Sequence, residues 1–159
     1  MEIEFDVKMT SGDLYDYMLH HTYGSMSGLI GAVAGALMVV AGFSGAGVLC
    51  IIAGIVILLY LPVTLFLKSK QQFLANPVFK QPLHYKLTEE GIEVSQGEEV
   101  QRQKWEDMYK AVSTTKSLVI YTTAVNAAIF PRRDLGEQLP AVIEIISKHM
   151  PPKKVKIRF

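Results

Sequence analysis

The sequence lacks charge over one long stretch. None of the 42 residues from Met26 to Leu67 in this 159-residue chain is Asp, Glu, Lys, Arg or His. The chain also has a single cysteine, Cys50, which excludes an intrachain disulfide and a cysteine-rich metal site. Together these absences exclude a disulfide framework, a disordered chain and a purely soluble protein.

Patterns of catalytic residues are missing as well. The sequence has no Gly-Lys-Ser/Thr phosphate loop and no Gly-x-Ser-x-Gly elbow. The acid pairs Glu89-Glu90 and Glu98-Glu99 lie in predicted turns, where carboxylates are usually solvated, and the four histidines do not have metal-ligand spacing. We therefore expect no enzymatic activity, no metal and no cofactor.

The uncharged block, residues 26–67, predicts a transmembrane helical hairpin. One span needs roughly 20 apolar residues, and this block is about twice that length. Glycines cluster at residues 42–47, so we expect one helix near Met26 to Gly42 and a second near Gly47 to Leu67. A buried hairpin in a soluble protein is the alternative, but the rest of the chain is too small to cover it.

The flanking charges predict the orientation of this hairpin. Lys68 and Lys70 follow the second span directly, whereas the connecting turn has no charge. The positive-inside rule then places both termini in the cytoplasm of a multi-pass protein of the cell (inner) membrane. Because the spans carry no ionisable residue, an ion channel or pump acting alone is not expected.

Small residues recur at helical spacing in both spans and let helix backbones approach closely. These rows either pack the two spans of one hairpin together or join several copies of the chain. The candidate packing residues are Gly24, Gly28, Gly31, Ala32, Gly35, Ala36, Ala46, Cys50 and Gly54.

The polar segments predict a second, mixed region, so the fold class is a membrane α+β protein. Residues 1–25 begin with alternating apolar and charged residues, which predict a half-buried strand. A short helix follows, capped by Thr10 and Asp13. Residues 68–82 resemble a linker, and residues 83–159 predict a small antiparallel sheet, curled or barrel-like. A helix bearing Leu139, Val142, Ile143 and Ile146 closes it, and Val155 to Phe159 adds a last strand. The strict alternation near the N-terminus suggests that this strand joins the same sheet.

Basic residues gather in the C-terminal part of the chain. Residues 1–25 have a net charge of −4 and residues 68–159 a net charge of +5. Such cations near the cytoplasmic leaflet attract anionic lipid headgroups, although they also serve general solubility. The candidate contacts for lipid or a partner protein are Lys68, Lys70, Arg132, Arg133, Lys148, Lys153, Lys154, Lys156 and Arg158. Trp105 is either a core anchor or a stacking platform in a ligand groove.

Several short motifs resemble the YcxB-like family of bacterial membrane proteins. They are Tyr85 to Ile92, Trp105 with Asp107, Lys110 to Val112, Leu118 to Tyr121, and Ile129 to Arg133. Together with the N-terminal strand, helix and two spans, the resemblance covers most of the chain. It implies a cytoplasmic domain similar to a pleckstrin-homology roll, in which a bent antiparallel sheet is closed by a C-terminal helix. It implies no known activity and no catalytic residues.

Three functions remain open at this point. The first is a non-catalytic scaffold or regulatory module that contacts the lipid bilayer, another membrane protein or a second copy of itself. The second is an accessory subunit of a membrane transporter or of an envelope-stress or antibiotic-response complex. The third is a lipid-modifying enzyme using Asp16, His20 and His21. Nucleic acid is not an expected partner, because no recognised motif is present and a membrane tether limits access.

Overall fold

The computed structural model describes residues 1–158 and divides the chain into two compact units. One unit joins Met1–Tyr17 to Phe73–Phe159, and the other is Met18–Gln72. We call the first the two-sheet domain and the second the helical hairpin. The helix that begins near the N-terminus and the long third helix each continue from one unit into the other.

The helical hairpin contains the uncharged block. The helices are α1 (Ser11–Tyr23), α2 (Met26–Ala41) and α3 (Val48–Ala75), and a π-helical turn, Gly42–Ala46, follows α2. Gly45 and Gly47 have φ values of 114° and 96°, a conformation that suits glycine at the reversal. α3 ends at Ala75 rather than near Leu67, so residues 68–75, predicted as part of a linker, are helical. The remaining linker residues include a 3₁₀ turn, Pro77–Lys80.

Both long helices are suited to a membrane by length and composition. They span 21 residues (Met26–Ala46, with the π-helical turn) and 28 residues (Val48–Ala75). Most of their large apolar side chains are exposed, whereas the core helix of a soluble protein buries such side chains. At about 1.5 Å per residue, 28 residues measure about 42 Å, which exceeds a hydrocarbon core of about 30 Å.

Two of the small residues mark a close approach between α2 and α3. A Cβ atom placed on Gly54 would lie 2.6 Å from the carbonyl oxygen of Gly35, and a Cβ on Gly35 would lie 3.1 Å from that of Gly54. Gly28, Gly35 and Gly54 are buried, Gly31, Ala32 and Cys50 are half-buried, and Gly24, Ala36 and Ala46 are exposed. The Gly35–Gly54 contact thus packs the two helices of one hairpin, the first of the two roles considered for these rows.

The two-sheet domain contains two four-stranded sheets. The first, sheet A, has the order β1-β2-β3-β4, and the second, sheet B, has the order β7-β6-β5-β8. The strands of sheet A are β1 (Ile3–Val7), β2 (Leu83–Leu87), β3 (Gly91–Gln96) and β4 (Glu99–Lys104). Those of sheet B are β5 (Lys110–Ser113), β6 (Ser117–Tyr121), β7 (Ala127–Pro131) and β8 (Val155–Lys156).

This arrangement corrects the expectation of one curled antiparallel sheet. A 3₁₀ turn, Trp105–Asp107, separates β4 from β5, and each strand pairs within its own sheet. β8 runs parallel to β5, and the chain between these two strands contains β6, β7, α4 and α5. The predicted last strand is shorter than expected, and its final residue, Phe159, lies outside the described residues.

Helices close the domain after β7. α4 (Arg132–Leu135) is followed by a 3₁₀ turn, Gly136–Gln138, and by α5 (Leu139–His149), with a further 3₁₀ turn at Pro152–Lys154. Pro140 lies in the first turn of α5, where its missing N–H is tolerated. α5 buries Val142, Ile143, Ile145 and Ile146 in the core.

The core joins both sheets through aromatic side chains. Phe130 of β7 is fully buried and makes edge contacts with Phe5 and Tyr85 of sheet A, at centroid distances of 5.1 and 4.8 Å. Trp105 is 4% exposed, and its Nε1 donates to the Thr88 carbonyl oxygen at 2.8 Å. Trp105 is therefore the core anchor of the two alternatives, rather than an open stacking platform.

Candidate functional site

Charge is segregated between the two sheets of the domain. The segments of sheet A, residues 1–8 and 83–107, carry ten acidic and four basic residues. The segments of sheet B and the C-terminal tail, residues 108–133 and 150–158, carry eight basic residues and no acidic residue. The strand segments of sheet A are therefore acidic and those of sheet B basic, whereas α4, α5 and the turn between them carry Asp134, Glu137 and Glu144.

Two of the four cations in the segments of sheet A, Lys86 and Arg102, are paired with acids across the sheet. Lys86 Nζ lies 3.0 Å from Glu2 and 3.1 Å from Glu4, and Arg102 Nε lies 2.7 Å from Glu93 Oε2. The cross-strand register of sheet A brings these opposite charges together. These side chains compensate one another within the sheet.

In sheet B a cation faces an aromatic ring instead of an acid. Lys110 Nζ lies 4.6 Å from the ring centroid of Tyr121, which is a cation–π contact. Burial raises the pKa of the Tyr121 phenol to about 12, so the ring remains neutral at physiological pH. The positive charge of Lys110 is thus retained on sheet B.

Arg132 links the backbones of Lys116 and Arg158 at one end of sheet B. Its backbone N–H donates to the Lys116 carbonyl oxygen at 2.9 Å, and its Nη2 donates to the Arg158 carbonyl oxygen at 3.0 Å. The Arg158 N–H in turn donates to Ser113 Oγ at 2.8 Å. Lys156 lies close to the same end of the sheet, because β8 pairs with β5 and places Lys156 opposite Val112. We call Lys116, Arg132, Lys156 and Arg158 the basic cluster.

The polar surroundings of the basic cluster include one carboxylate. Thr114 Oγ1 donates a short hydrogen bond to Asp16 Oδ2, so α1 brings an acid to the turn between β5 and β6. Lys116, Lys156 and Arg158 nevertheless remain exposed, and Arg132 is half-buried. The three exposed cations at this end of the sheet can contact an anionic surface, because such a surface needs no deep pocket.

Arg133, a predicted contact residue, instead belongs to an internal ion pair. Its two terminal nitrogens donate to Asp13 Oδ1 and Oδ2 at 2.9 and 2.8 Å, and Nη2 also donates to the Lys8 carbonyl oxygen at 2.7 Å. Asp13 is 2% exposed and also accepts from the backbone N–H and the hydroxyl of Thr10. This pair, the Asp13–Arg133 clamp, fixes the start of α1 to α4.

The clamp controls the protonation of a buried carboxyl. Burial alone would raise the pKa of Asp13, but the hydrogen bonds from Arg133 and Thr10 outweigh it and hold the pKa below its usual 3.8. A carboxyl with a lowered folded-state pKa stabilises the fold above its unfolded-state pKa. That stabilisation is lost as the pH falls through the folded-state value.

We expect Asp13→Asn to destabilise the domain at pH 7 by about 2 kcal/mol, because it removes the charged partner of Arg133. The loss is moderate because Arg133 is half-exposed and water can solvate part of its charge. The difference from wild type should shrink as the pH falls below 3.8, since protonation then weakens the clamp in wild type too. Urea unfolding of the full chain in detergent, followed by Trp105 emission, measures it. The exposed Asp107→Asn variant serves as control, and a pH-independent difference would contradict the expectation.

Lys148 and Lys154 are also engaged within the domain. Lys148 Nζ lies 3.3 Å from Glu89 Oε2, and Lys154 Nζ donates to the Met108 carbonyl oxygen at 2.9 Å. The Met1 and Lys148 ammonium groups lower the pKa of Glu89 to about 2, so this acid stays charged. Neither lysine is therefore as available for a lipid or partner as the sequence alone suggested.

The other predicted contacts are exposed. Lys153 lies in the 3₁₀ turn before β8, and Lys68 and Lys70 lie on α3, where Lys70 Nζ is 4.6 Å from the Phe66 ring centroid. Sequence reasoning missed Lys110 and Lys116. The signal that could have found them is the absence of any acid from residue 108 to residue 133.

The residues considered for a lipid-modifying enzyme are placed as follows. Asp16 is bonded to Thr114, His20 is exposed, and His21 is half-buried. Across residues 1–158, no group of three or more His, Cys, Asp or Glu side chains is arranged to hold a metal ion.

The chain thus combines a small two-sheet domain, which is closed by a helix and carries the basic cluster, with two long apolar helices. Residues 87–146, which run from the end of β2 into α5, match the model of the YcxB-like protein family. The resemblance read from the sequence motifs is thereby confirmed for this segment. β1, α1 and the helical hairpin lie outside the match. No curated protein and no solved structure matches the chain significantly.

Proposed function

We propose that this chain is a non-catalytic membrane protein whose two-sheet domain contacts anionic lipid headgroups through the basic cluster. The helical hairpin anchors the chain in the cell membrane, with both ends in the cytoplasm. The observation that carries this proposal is the segregation of charge, with eight basic and no acidic residues in the segments of sheet B and the tail.

The membrane anchor is supported by the exposed apolar side chains of α2 and α3. Lys68 and Lys70 follow the apolar part of α3, and the turn between the helices carries no charge. This asymmetry favours a cytoplasmic location for the polar segments. A tethered domain stays near the bilayer surface, where each basic residue contributes about 1 kcal/mol to binding of anionic lipid.

We infer a pleckstrin-homology type of domain from the order of its elements. Strands β1 to β4 form one antiparallel sheet, β5 to β7 pair antiparallel in a second sheet, and α5 follows them. That order is similar to the roll implied by the family resemblance, except that the strands form two sheets and not one bent sheet. The additional β8, which runs parallel to β5, carries Lys156 into the basic cluster.

The test compares two variants that lose the same charge. Lys116→Gln/Lys156→Gln/Arg158→Gln removes three cations of the basic cluster and leaves the backbone hydrogen bonds of Arg158 in place. Lys8→Gln/Lys80→Gln/Lys86→Gln removes three cations elsewhere in the domain. The full chain, in mild detergent, is titrated with phosphatidylglycerol or phosphatidylcholine, and bound lipids are counted by native mass spectrometry.

We expect the cluster variant to bind phosphatidylglycerol at least tenfold more weakly than wild type, with phosphatidylcholine binding unchanged. The control variant should bind both lipids like wild type, and added salt should weaken only the phosphatidylglycerol binding. Equal loss in both variants would contradict the proposal. A reproducible second protein in the purified sample, without any lipid effect, would favour the accessory-subunit alternative.

A further inference from the structure

β4 is an uncovered edge of sheet A. All six of its residues, Glu99–Lys104, are exposed, and β4 pairs only with β3. The opposite edge is held by α4, since the N–H of Lys8 donates to Asp134 Oδ2 at 3.1 Å. Edge strands are usually protected by charged side chains, proline, a bulge or a covering element; β4 carries charged residues, but its register is continuous and its sequence has no proline.

The hydrogen bonding of β4 determines which backbone groups face outward. The backbone N–H of Trp105 donates to the Glu90 carbonyl oxygen, and antiparallel pairs alternate between bonded and non-bonded along a ladder. Glu99, Gln101 and Gln103 therefore direct their backbone groups toward β3. Val100, Arg102 and Lys104 direct theirs toward the free edge.

This pattern leaves few ways for two copies of β4 to pair antiparallel. A residue of one copy whose backbone groups face the free edge must lie opposite such a residue of the other copy. Two registers meet this condition with the longest overlap between the two strands. One places Arg102 opposite Arg102 of the second copy, which brings like charges together. The other places Gln101 on the two-fold axis, Val100 opposite Arg102 and Glu98 opposite Lys104.

We propose that two copies of this chain associate through β4, antiparallel, with Gln101 on the two-fold axis. Val100 and Arg102 then exchange four backbone hydrogen bonds across the interface, and Glu98 faces Lys104 at both ends. The two copies of sheet A form one continuous eight-stranded sheet, which is an isologous dimer. The occupant is a second copy because Glu98, in the turn before β4, and Lys104 of one copy meet Lys104 and Glu98 of the other, so opposite charges face each other at both ends.

Cysteine cross-linking in membranes tests the register. In a Cys50→Ala background, Gln101→Cys places two cysteines directly opposite, with Cα atoms about 4.5 Å apart, within disulfide range. The matched control is Gln103→Cys, on the same face of β4 and equally exposed. In the proposed register its two copies are about 14 Å apart.

We expect mild oxidation to convert most Gln101→Cys chains to a covalent dimer and to leave Gln103→Cys mainly monomeric. Equal cross-linking of both variants would indicate random collision and overturn the proposal. No cross-linking at Gln101 would overturn it too, as would preferential cross-linking at Gln103.

A proline at the free edge provides an independent test. Val100→Pro removes an N–H that faces outward, so it deletes no hydrogen bond between β3 and β4. Added to Gln101→Cys, it should lower dimer yield at least tenfold while leaving the urea midpoint of the domain unchanged. Lys104→Glu should lower the yield likewise, and Glu98→Lys in the same chain should restore it. An unchanged yield in the Val100→Pro and Lys104→Glu variants would refute this interface.

Discussion

Replacing Phe130 with alanine is expected to lower the free energy of unfolding of the two-sheet domain by about 4 kcal/mol. Phe130 is fully buried and is the aromatic side chain of sheet B that contacts Phe5 and Tyr85 of sheet A. Its removal leaves a cavity between the sheets and also deletes two edge-to-face contacts. The surrounding β-strands cannot collapse freely into that space, because hydrogen bonds fix them within each sheet.

Trp105 emission in urea measures this effect. Trp105 is the only tryptophan of the chain and is buried in the same core, so its emission reports the domain and not the hairpin. Tyr109→Ala removes an exposed aromatic side chain and should change the free energy of unfolding by less than about 0.5 kcal/mol. Similar small effects for both variants would show that Phe130 does not join the two sheets.

Replacing Gly91 with alanine is expected to have the second largest effect, a loss of about 3 kcal/mol. A Cβ atom on Gly91 would lie 2.0 Å from the Gln103 carbonyl oxygen and 2.9 Å from the Lys104 Cα atom. Both contacts are with backbone, so no side-chain rotation relieves them. β4 must move away from β3, which breaks the ladder that presents the free edge.

The matched control for Gly91→Ala is Gly12→Ala. Gly12 lies exposed in the first turn of α1, where a Cβ atom would lie 3.6 Å from Thr10 Oγ1, an ordinary contact. Since alanine favours helix, this variant should be neutral or slightly stabilising. A Gly91→Ala variant with the urea midpoint of wild type would contradict the close approach of β3 and β4.

Local patterns allowed much of the fold to be predicted. The alternation of Ile3, Phe5 and Val7 with charged residues indicated a half-buried strand, and these three side chains are buried in β1. The expected Thr10–Asp13 cap forms, and the glycine-rich segment after Gly42 reverses the chain between α2 and α3. In each case neighbouring residues determine the conformation, so periodicity and capping rules suffice.

Long-range contacts explain what the sequence did not predict. Arg133 looked like a free surface cation, but it pairs with Asp13, 120 residues earlier in the chain. The division into two sheets depends on where β4 and β8 find partners, which strand propensity does not encode. The basic cluster was only partly recognised, because Lys116 and Arg158 are distant in sequence and meet through the hydrogen bonds of Arg132.

The central claim is that the basic cluster of the two-sheet domain contacts anionic lipid headgroups. Hydrogen–deuterium exchange of the full chain in nanodiscs tests it most directly, with discs of phosphatidylcholine alone compared with discs containing phosphatidylglycerol. We predict slower exchange with phosphatidylglycerol at residues 114–118 and 153–158, no change at residues 91–104, and loss of the effect in the Lys116→Gln/Lys156→Gln/Arg158→Gln variant. Exchange at residues 114–118 and 153–158 that is identical in both kinds of disc would contradict the account.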